Sequence, residues 1–362
     1  MNTKYLCLTK YLFICLLLTI SLQSVAQVDR TFWFAAPDNT APHGDEPILM
    51  RFATFATPAV VTISMPTNVG FTPIVINMAA NAVATQDLTA FLAQIETPFD
   101  AGGVPAPQTT AILVESTANI TAYYEVNRSN NPDIFALKGV NGLGNDFYLP
   151  FQTAWTTQTG YTPAARTGFI VVAVEDNTVV TVTPTVALEG GRAAGVPYNI
   201  TLNRGQTYCG SVADATAGGA PTGTRITSTR PITVTMFHDT IRTGTGGCHD
   251  LAGDQMVPTT NIGTQYSIQR GFLDENEQIV ITATQNGTNV TITNSAVTNV
   301  VLNAGQSTTV LLPVTAPFTS VVSSLPVYVA HYAGFGCETG GCLIAPCKLH
   351  RLSQCTFCPF YW

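Results

Sequence analysis

One pattern of short strands is written three times along this chain, and that repetition constrains its fold more than any other feature. An aromatic opening strand reads TFWFAAP (31–37), DFYLPFQ (146–152) and QYSIQRG (265–271), so Phe32, Phe147 and Tyr266 recur at almost equal intervals. A hairpin of period two follows each time: FIVVAVEDNTVVTVTP (169–184), QIVITATQNGTNVTIT (278–293) and a less regular first copy, FATPAVVTISMP (55–66). Its turns, Glu175-Asp176-Asn177-Thr178 and Gln285-Asn286-Gly287-Thr288, carry the Asn, Asp and Gly that accept positive φ. Next come ITLNRGQTY (200–208) and VVLNAGQST (300–308), with Gly205 and Gly305 at the reversal. A closing hairpin ends the unit, as AILVESTANITAYYEV (111–126), GTRITSTRPITVTMFHD (223–239) and FTSVVSSLPVYVAHYAG (318–334). Pro231 and Pro326 are expected to start its outgoing strand, where no ladder donor is lost.

These runs predict an all-β protein of three internal repeats of about 115 residues, each a β-sandwich-like unit of about seven strands. The alternative is one closed β-propeller of about six blades, two per repeat. Helical periodicity is confined to 87–95. The expected divisions are a signal peptide (1–26), repeat 1 (27–144), repeat 2 (145–262), an incomplete repeat 3 (263–341) and an aberrant tail (342–362). No Ser/Gly or charged linker separates the repeats, so the units are expected to pack against one another.

The first residues read as a targeting segment. Lys4 and Lys10 precede an apolar run over 11–22, and Ser24-Val25-Ala26 offers small residues at −3 and −1, which places cleavage after Ala26. The apolar run is shorter than the roughly 20 residues of a membrane anchor, and no later stretch is long enough. The chain is therefore expected to be secreted or held at the cell surface. Its net charge of −7 becomes −9 once Lys4 and Lys10 leave, with Lys138 and Lys348 the remaining lysines. So few cations exclude nucleic acid and anionic membranes as partners, since both demand clustered positive charge.

The segments NPDIFALKGVNGLGNDFYLPFQ (131–152), GTRITSTRPITV (223–234), CHDLAGDQMVP (248–258) and GFGCETGG (334–341) resemble the N-terminal domain type of IgGFc-binding proteins. That family includes animal mucus proteins and large exported proteins of bacteria, and the signal peptide points to a bacterial member. The resemblance spans 31–341. It implies a non-enzymatic binding or adhesion module with an extracellular glycoprotein or mucus-type ligand, without implying that this copy binds antibody. The alternative function is a calcium-assisted secreted glycan hydrolase.

Chemistry-bearing residues are sparse. The stretch 244–258, rich in Gly, Asp and Gln and joining two repeats, reads as a loop, with Asp250, Asp254 and Gln255 as candidate ligand-binding residues. Their plainer reading is as caps for buried backbone donors; the sharper one is part of a ligand or calcium site. His238-Asp239 and His249-Asp250 are candidate acid–base or metal pairs, but adjacent strand residues point to opposite faces. No nucleophile elbow, zincin motif, phosphate loop or dinucleotide fingerprint is present. No catalytic residue, metal site or required cofactor is expected, with calcium the one open possibility.

Two of the nine cysteines, Cys7 and Cys15, leave with the signal. Cys209 and Cys248 flank the second closing hairpin and are expected to form a disulfide. The tail CLIAPCKLHRLSQCTFCPFYW (342–362) abandons the upstream alternation, and its spacing of Cys342, Cys347, Cys355 and Cys358 also admits a zinc reading. Shifting the frame by one nucleotide, with silent codon choices, turns the residues after Gly340 into text similar to the family's usual continuation. The tail is accordingly expected to be out of frame and the chain truncated, with downstream sorting domains lost. A missing strand would then leave an open edge beside 326–334.

Overall fold

A computed structural model describes residues 27–39, 43–98, 106–129, 131–157, 160–212, 219–243 and 248–347. Residues 1–26, where a signal peptide is expected, and residues 348–362 lie outside this range. Unit 1 contains β1 (Asp29–Phe34), β2 (Ala36–Pro37), β3 (Ile48–Thr54), β4 (Ala59–Ser64), β5 (Ile74–Met78), β6 (Val83–Asp87), β7 (Glu96–Thr97), β8 (Ile112–Val126) and β9 (Asp133–Ala136). Unit 2 contains β10 (Gly144–Tyr148), β11 (Thr156–Thr157), β12 (Thr167–Ala173), β13 (Thr178–Thr183), β14 (Tyr198–Leu202), β15 (Thr207–Val212), β16 (Arg225–Arg242) and β17 (Asp250–Gln255). Unit 3 contains β18 (Gly263–Gln269), β19 (Phe272–Leu273), β20 (Glu277–Ala283), β21 (Thr288–Thr293), β22 (Val297–Leu302), β23 (Ser307–Leu312), β24 (Phe318–Gly336) and β25 (Glu338–Leu343).

The strand order repeats: β5-β4-β8-β3-β6, β14-β13-β16-β12-β15 and β22-β21-β24-β20-β23. The architecture is therefore three β-sandwich-like units. The propeller alternative fails because every unit is organised on one long strand, not divided into two independent blades. Those long strands, β8, β16 and β24, run 15, 18 and 19 residues. Each stands where a closing hairpin was expected. The first part of β16, through Ser228, pairs with β13 and β10, whereas Ile232 onward pairs with β12 and then β17. β24 divides in the same way, through Ser323 and from Val327. Pro231 and Pro326 thus lie inside a continuous strand, at the changeover between partners, where a missing N–H costs no ladder bond. The opening strands β1, β10 and β18 each shift register across this changeover, as expected where a strand turns a sandwich corner.

Alternation places the cores. β4 and β13 bury every second residue, while β12 and β20 are buried on both faces. The helical period over 87–95 appears as a single-turn pair of helices, Thr89–Phe91 and Leu92–Ile95. The units do pack together. Trp33, Ala35 and Leu113 of unit 1 bury against Ile170, Val172, Cys209 and Phe237 of unit 2. One core continues from Phe147 and Phe169 of unit 2 into Val280, Tyr328 and Tyr332 of unit 3.

The glycine turns of the repeat serve the stacking. Gly205, at φ +79°, presents its carbonyl to Thr67 Oγ1 of unit 1 at 2.7 Å. Gly305, at φ +78°, lies against Gly223 of unit 2 so closely that a Cβ on Gly223 would overlap the Gly305 carbonyl. Both turns dock on the same end of the preceding unit, where its second hairpin strand meets the long strand.

β25 pairs with Ala330–Phe335 of β24, so this strand covers the edge expected to be open. The chain past Gly341 also stays with unit 3: Ile344 N–H donates to Val329 O at 2.9 Å and Cys347 N–H to Gln265 O at 2.8 Å. Gly223→Ala, which adds a methyl at a positive-φ site against backbone, is expected to cost about 1–3 kcal/mol. Denaturant unfolding of the two proteins measures it.

Candidate functional site

The three predicted site residues belong to a strand, not a loop. Asp250–Gln255 is β17, in antiparallel register with Thr235–Ile241 of β16, and all six of its residues are buried. Burial on both faces is what hid it, because alternation vanishes and only a polar, glycine-containing string remains. Gly253 is required by close approach: a Cβ there would press on the Phe135 ring and on Met236 O.

β17 lies between β9 of unit 1 and β25 of unit 3, and acidic or amide side chains tie the three together. Asn131 Oδ1 accepts from Leu251 N–H at 2.7 Å, and Asp133 Oδ2 from Gly253 N–H at 2.9 Å. In turn Asp250 Oδ2 accepts from Thr339 N–H at 3.1 Å, and Asp254 Oδ2 from Leu343 N–H at 3.0 Å. Gln255 Oε1 accepts from Lys138 N–H at 2.7 Å while its Nε2 donates to Trp33 O at 2.7 Å. The structure thus brings Asp250, Asp254 and Gln255 together as struts that cap backbone donors across both unit boundaries. Sequence reasoning missed Lys138, whose ammonium reaches Asp254 Oδ2 at 3.0 Å in a fully enclosed ion pair. As the single lysine of the described residues, in the segment Ala136-Leu137-Lys138, it offered a signal that went unread.

Burial sets the electrostatics here. It raises the Asp254 carboxyl even though Lys138 pulls the other way, and it raises Asp133 well above the usual carboxylate range. Asp250 is pushed up to about 9, first by burial and then by its hydrogen bond with Glu338. Both causes favour the neutral form of the Asp250 carboxyl.

The disulfide is Cys248–Cys337, with Cα atoms 5.8 Å apart, and not the expected Cys209–Cys248. Cys248 enters β17 and Cys337 enters β25, so the strand contact that the carboxylates hold also brings the two thiols together. Cys209 is instead a free, buried thiol on β15, opposite Ile170 and packed with Trp33 and Phe237, and burial pushes its pKa up. Cys342 and Cys347 are disulfide-bonded, which removes them from the zinc reading, whereas Cys355 and Cys358 lie outside the described residues. Among the described residues the one group of three metal-capable side chains is Cys248, Cys337 and Glu338, and its two sulfurs are already bonded to each other.

The histidine pairs do not converge. His238 is buried on β16, bonded to Thr167 Oγ1 at 3.0 Å, and burial drives its pKa down to about 3. That leaves a neutral imidazole packed edge-on to Phe151 and Tyr332. Among the described residues, the most exposed phenylalanine rings lie elsewhere. Phe272 and Phe335, aligned by the parallel β19–β24 pairing, are 75% and 63% exposed with ring centroids 6.5 Å apart.

A protein-family model described as IgGFc binding protein matches residues 133–344, more than half of the chain. The chain belongs to that family. The match starts at β9 and runs through the disulfide and the β9–β17–β25 junction to the end of β25, so the strand order alone relates unit 1 to it. Membership makes this a non-enzymatic, binding-type domain. A comparison with curated proteins returned no significant match.

Two outcomes follow from the junction. Because the folded-state pKa of Asp250 is raised, its contribution to stability is fully present below pH ~4 and is lost as pH rises through about 9. Asp250→Asn keeps the acceptor for Thr339 and donates to Glu338 without a titrating proton, so it is expected to flatten that decline in pH-dependent melting. Removal of the disulfide by Cys337→Ala is expected to cost about 2–5 kcal/mol. Peptide mapping without reduction is expected to show Cys248 linked to Cys337 and Cys209 alkylated only after unfolding.

Proposed function

We propose that the chain is an exported adhesion module that recognises an extracellular glycoprotein or a related surface ligand. Family membership supports binding as its role. The observation that carries a location is the Phe272–Phe335 pair, an exposed aromatic platform on a rigid strand pairing, whose polar neighbours on β17 and β25 are spent on internal struts. Aromatic faces bury large area at low entropic cost, and the apolar face of a pyranose ring stacks on such surfaces. No helix among the described residues is long and apolar enough to cross a membrane.

A glycan array and immobilised mucus glycoproteins, with IgG Fc as a further probe, test the reading with the purified chain. Saturable binding that leaves the ligand intact is expected. Phe272→Ala with Phe335→Ala is expected to weaken it about tenfold or more at unchanged melting temperature, since both side chains face solvent. Ligand cleavage in a parallel hydrolysis screen overturns the binding role, and full affinity in the double variant overturns the location.

A further inference from the structure

At one place among the described residues a lysine stands where the chain otherwise uses arginine or histidine to meet a carboxylate. Arg51 pairs with Glu125, Arg166 with Glu189, Arg225 with Asp146 and Arg230 with Glu175, while His331 meets Glu277. The enclosed pair on β17 is Lys138 with Asp254. The choice has a chemical consequence: a guanidinium stays protonated, whereas a buried lysine readily gives up its proton and becomes a nucleophile.

Both groups are held in place from more than one side. The Lys138 N–H donates to Gln255 Oε1 at 2.7 Å, so the side chain starts beside the end of β17. Its Nζ then lies 3.0 Å from Asp254 Oδ2, one bond short of the carboxyl carbon. Asp254 Oδ2 also accepts from Leu343 N–H at 3.0 Å, and Oδ1 accepts from Gln255 N–H at 2.8 Å. Two backbone donors on one carboxyl polarise it, and they hold the charge that gathers on oxygen when a nucleophile adds to the carbon. Such positioning replaces a bimolecular encounter.

The surroundings are dry. Lys138, Asp254 and Asp133 are 6%, 3% and 3% exposed, and Tyr332, itself 1% exposed, has both acids as electrostatic neighbours. Burial pushes both carboxyls up, Asp254 in spite of Lys138. Opposite charges in such a site neutralise each other when one proton passes from the ammonium to the carboxylate. A free amine beside an un-ionised carboxyl is the reactive combination, since an ammonium has no lone pair and a carboxylate repels a nucleophile. Asp133, bonded to the N–H of Gly253 next to Asp254, brings a second buried acid to the same strand.

We propose that Lys138 and Asp254 become joined by a side-chain amide that forms in the folded protein. The Lys138 amine adds to Asp254 Cγ and makes the N–C bond; a C–O bond of the carboxyl group then breaks, and its hydroxyl leaves with one amine proton as water. No atom changes oxidation state. Asp133 relays that proton, taking it from the nitrogen and returning one to the departing oxygen. Both buried charges disappear, and the end of unit 1 is fastened to β17 as Cys248–Cys337 fastens β17 to β25. Neither the ligand nor the exposed aromatic pair enters this step.

Mass spectrometry of the purified chain, reduced and fully denatured, tests it. The intact mass is expected about 18 Da below what the sequence requires, and proteolysis is expected to yield a branched peptide joining the Lys138 and Asp254 segments. Lys138→Arg keeps a cation opposite Asp254 and forms no amide, so it is expected at full mass. Asp133→Asn keeps an acceptor for Gly253 and is expected to lower the linked fraction of freshly synthesised chain about tenfold. A parent chain at full mass overturns the proposal. So does a water loss that maps to other residues or that Lys138→Arg retains. Linkage as fast in Asp133→Asn as in the parent overturns the proton relay.

Discussion

Everything in this protein hangs on the ability of one long strand per unit to serve two sets of partners. β8, β16 and β24 each begin against an opening strand and the second strand of the hairpin, then finish against the first hairpin strand and a closing strand. A flat strand of that length would leave one set unsatisfied, so the changeover has to bend. Pro231 and Pro326 suit it because the bend releases their positions from the ladder. Ala118-Asn119 achieves the same changeover in β8 without proline, so the pairing pattern, not the residue, is what the fold requires.

Stacking follows from that geometry. The long strand carries its closing strand to the boundary with the next unit, and the closing strands β9, β17 and β25 meet there edge to edge. Edge strands that meet without a ladder leave donors unpaired, and here carboxylates and amides fill that need: Asn131 and Asp133 for β17, Asp250 and Asp254 for β25. Buried acids are expensive unless hydrogen-bonded or protonated. Lys138 answers the cost at Asp254 and a shared proton answers it at Asp250. The disulfide lies at the entry to the same pair of strands and fastens the unit 2–unit 3 boundary covalently.

The proposed binding surface and the internal bonding use different side chains of neighbouring strands. The polar residues that invited a ligand reading are consumed between units, while the exposed aromatic pair of unit 3 turns outward from β19 and β24. Such a division suits a scaffold that presents surfaces and carries out no chemistry, in line with the family to which the chain belongs.

Sequence alone determined the repeat and the strand-rich units, because alternation and turn residues are local properties that each segment expresses for itself. Gly205 and Gly305 were legible as reversals for the same reason. The partner of each cysteine was not legible: Cys248 meets Cys337 across 89 residues only because β17 and β25 are neighbours in space. Nor was the strand character of Asp250–Gln255, since a segment buried on both faces by long-range hydrogen bonds carries no period of its own. The closing hairpins that became single long strands show the same limit. A turn signal such as Thr229-Arg230-Pro231 reports a change of direction or of partner, and only the strands packed on either side decide which one it is.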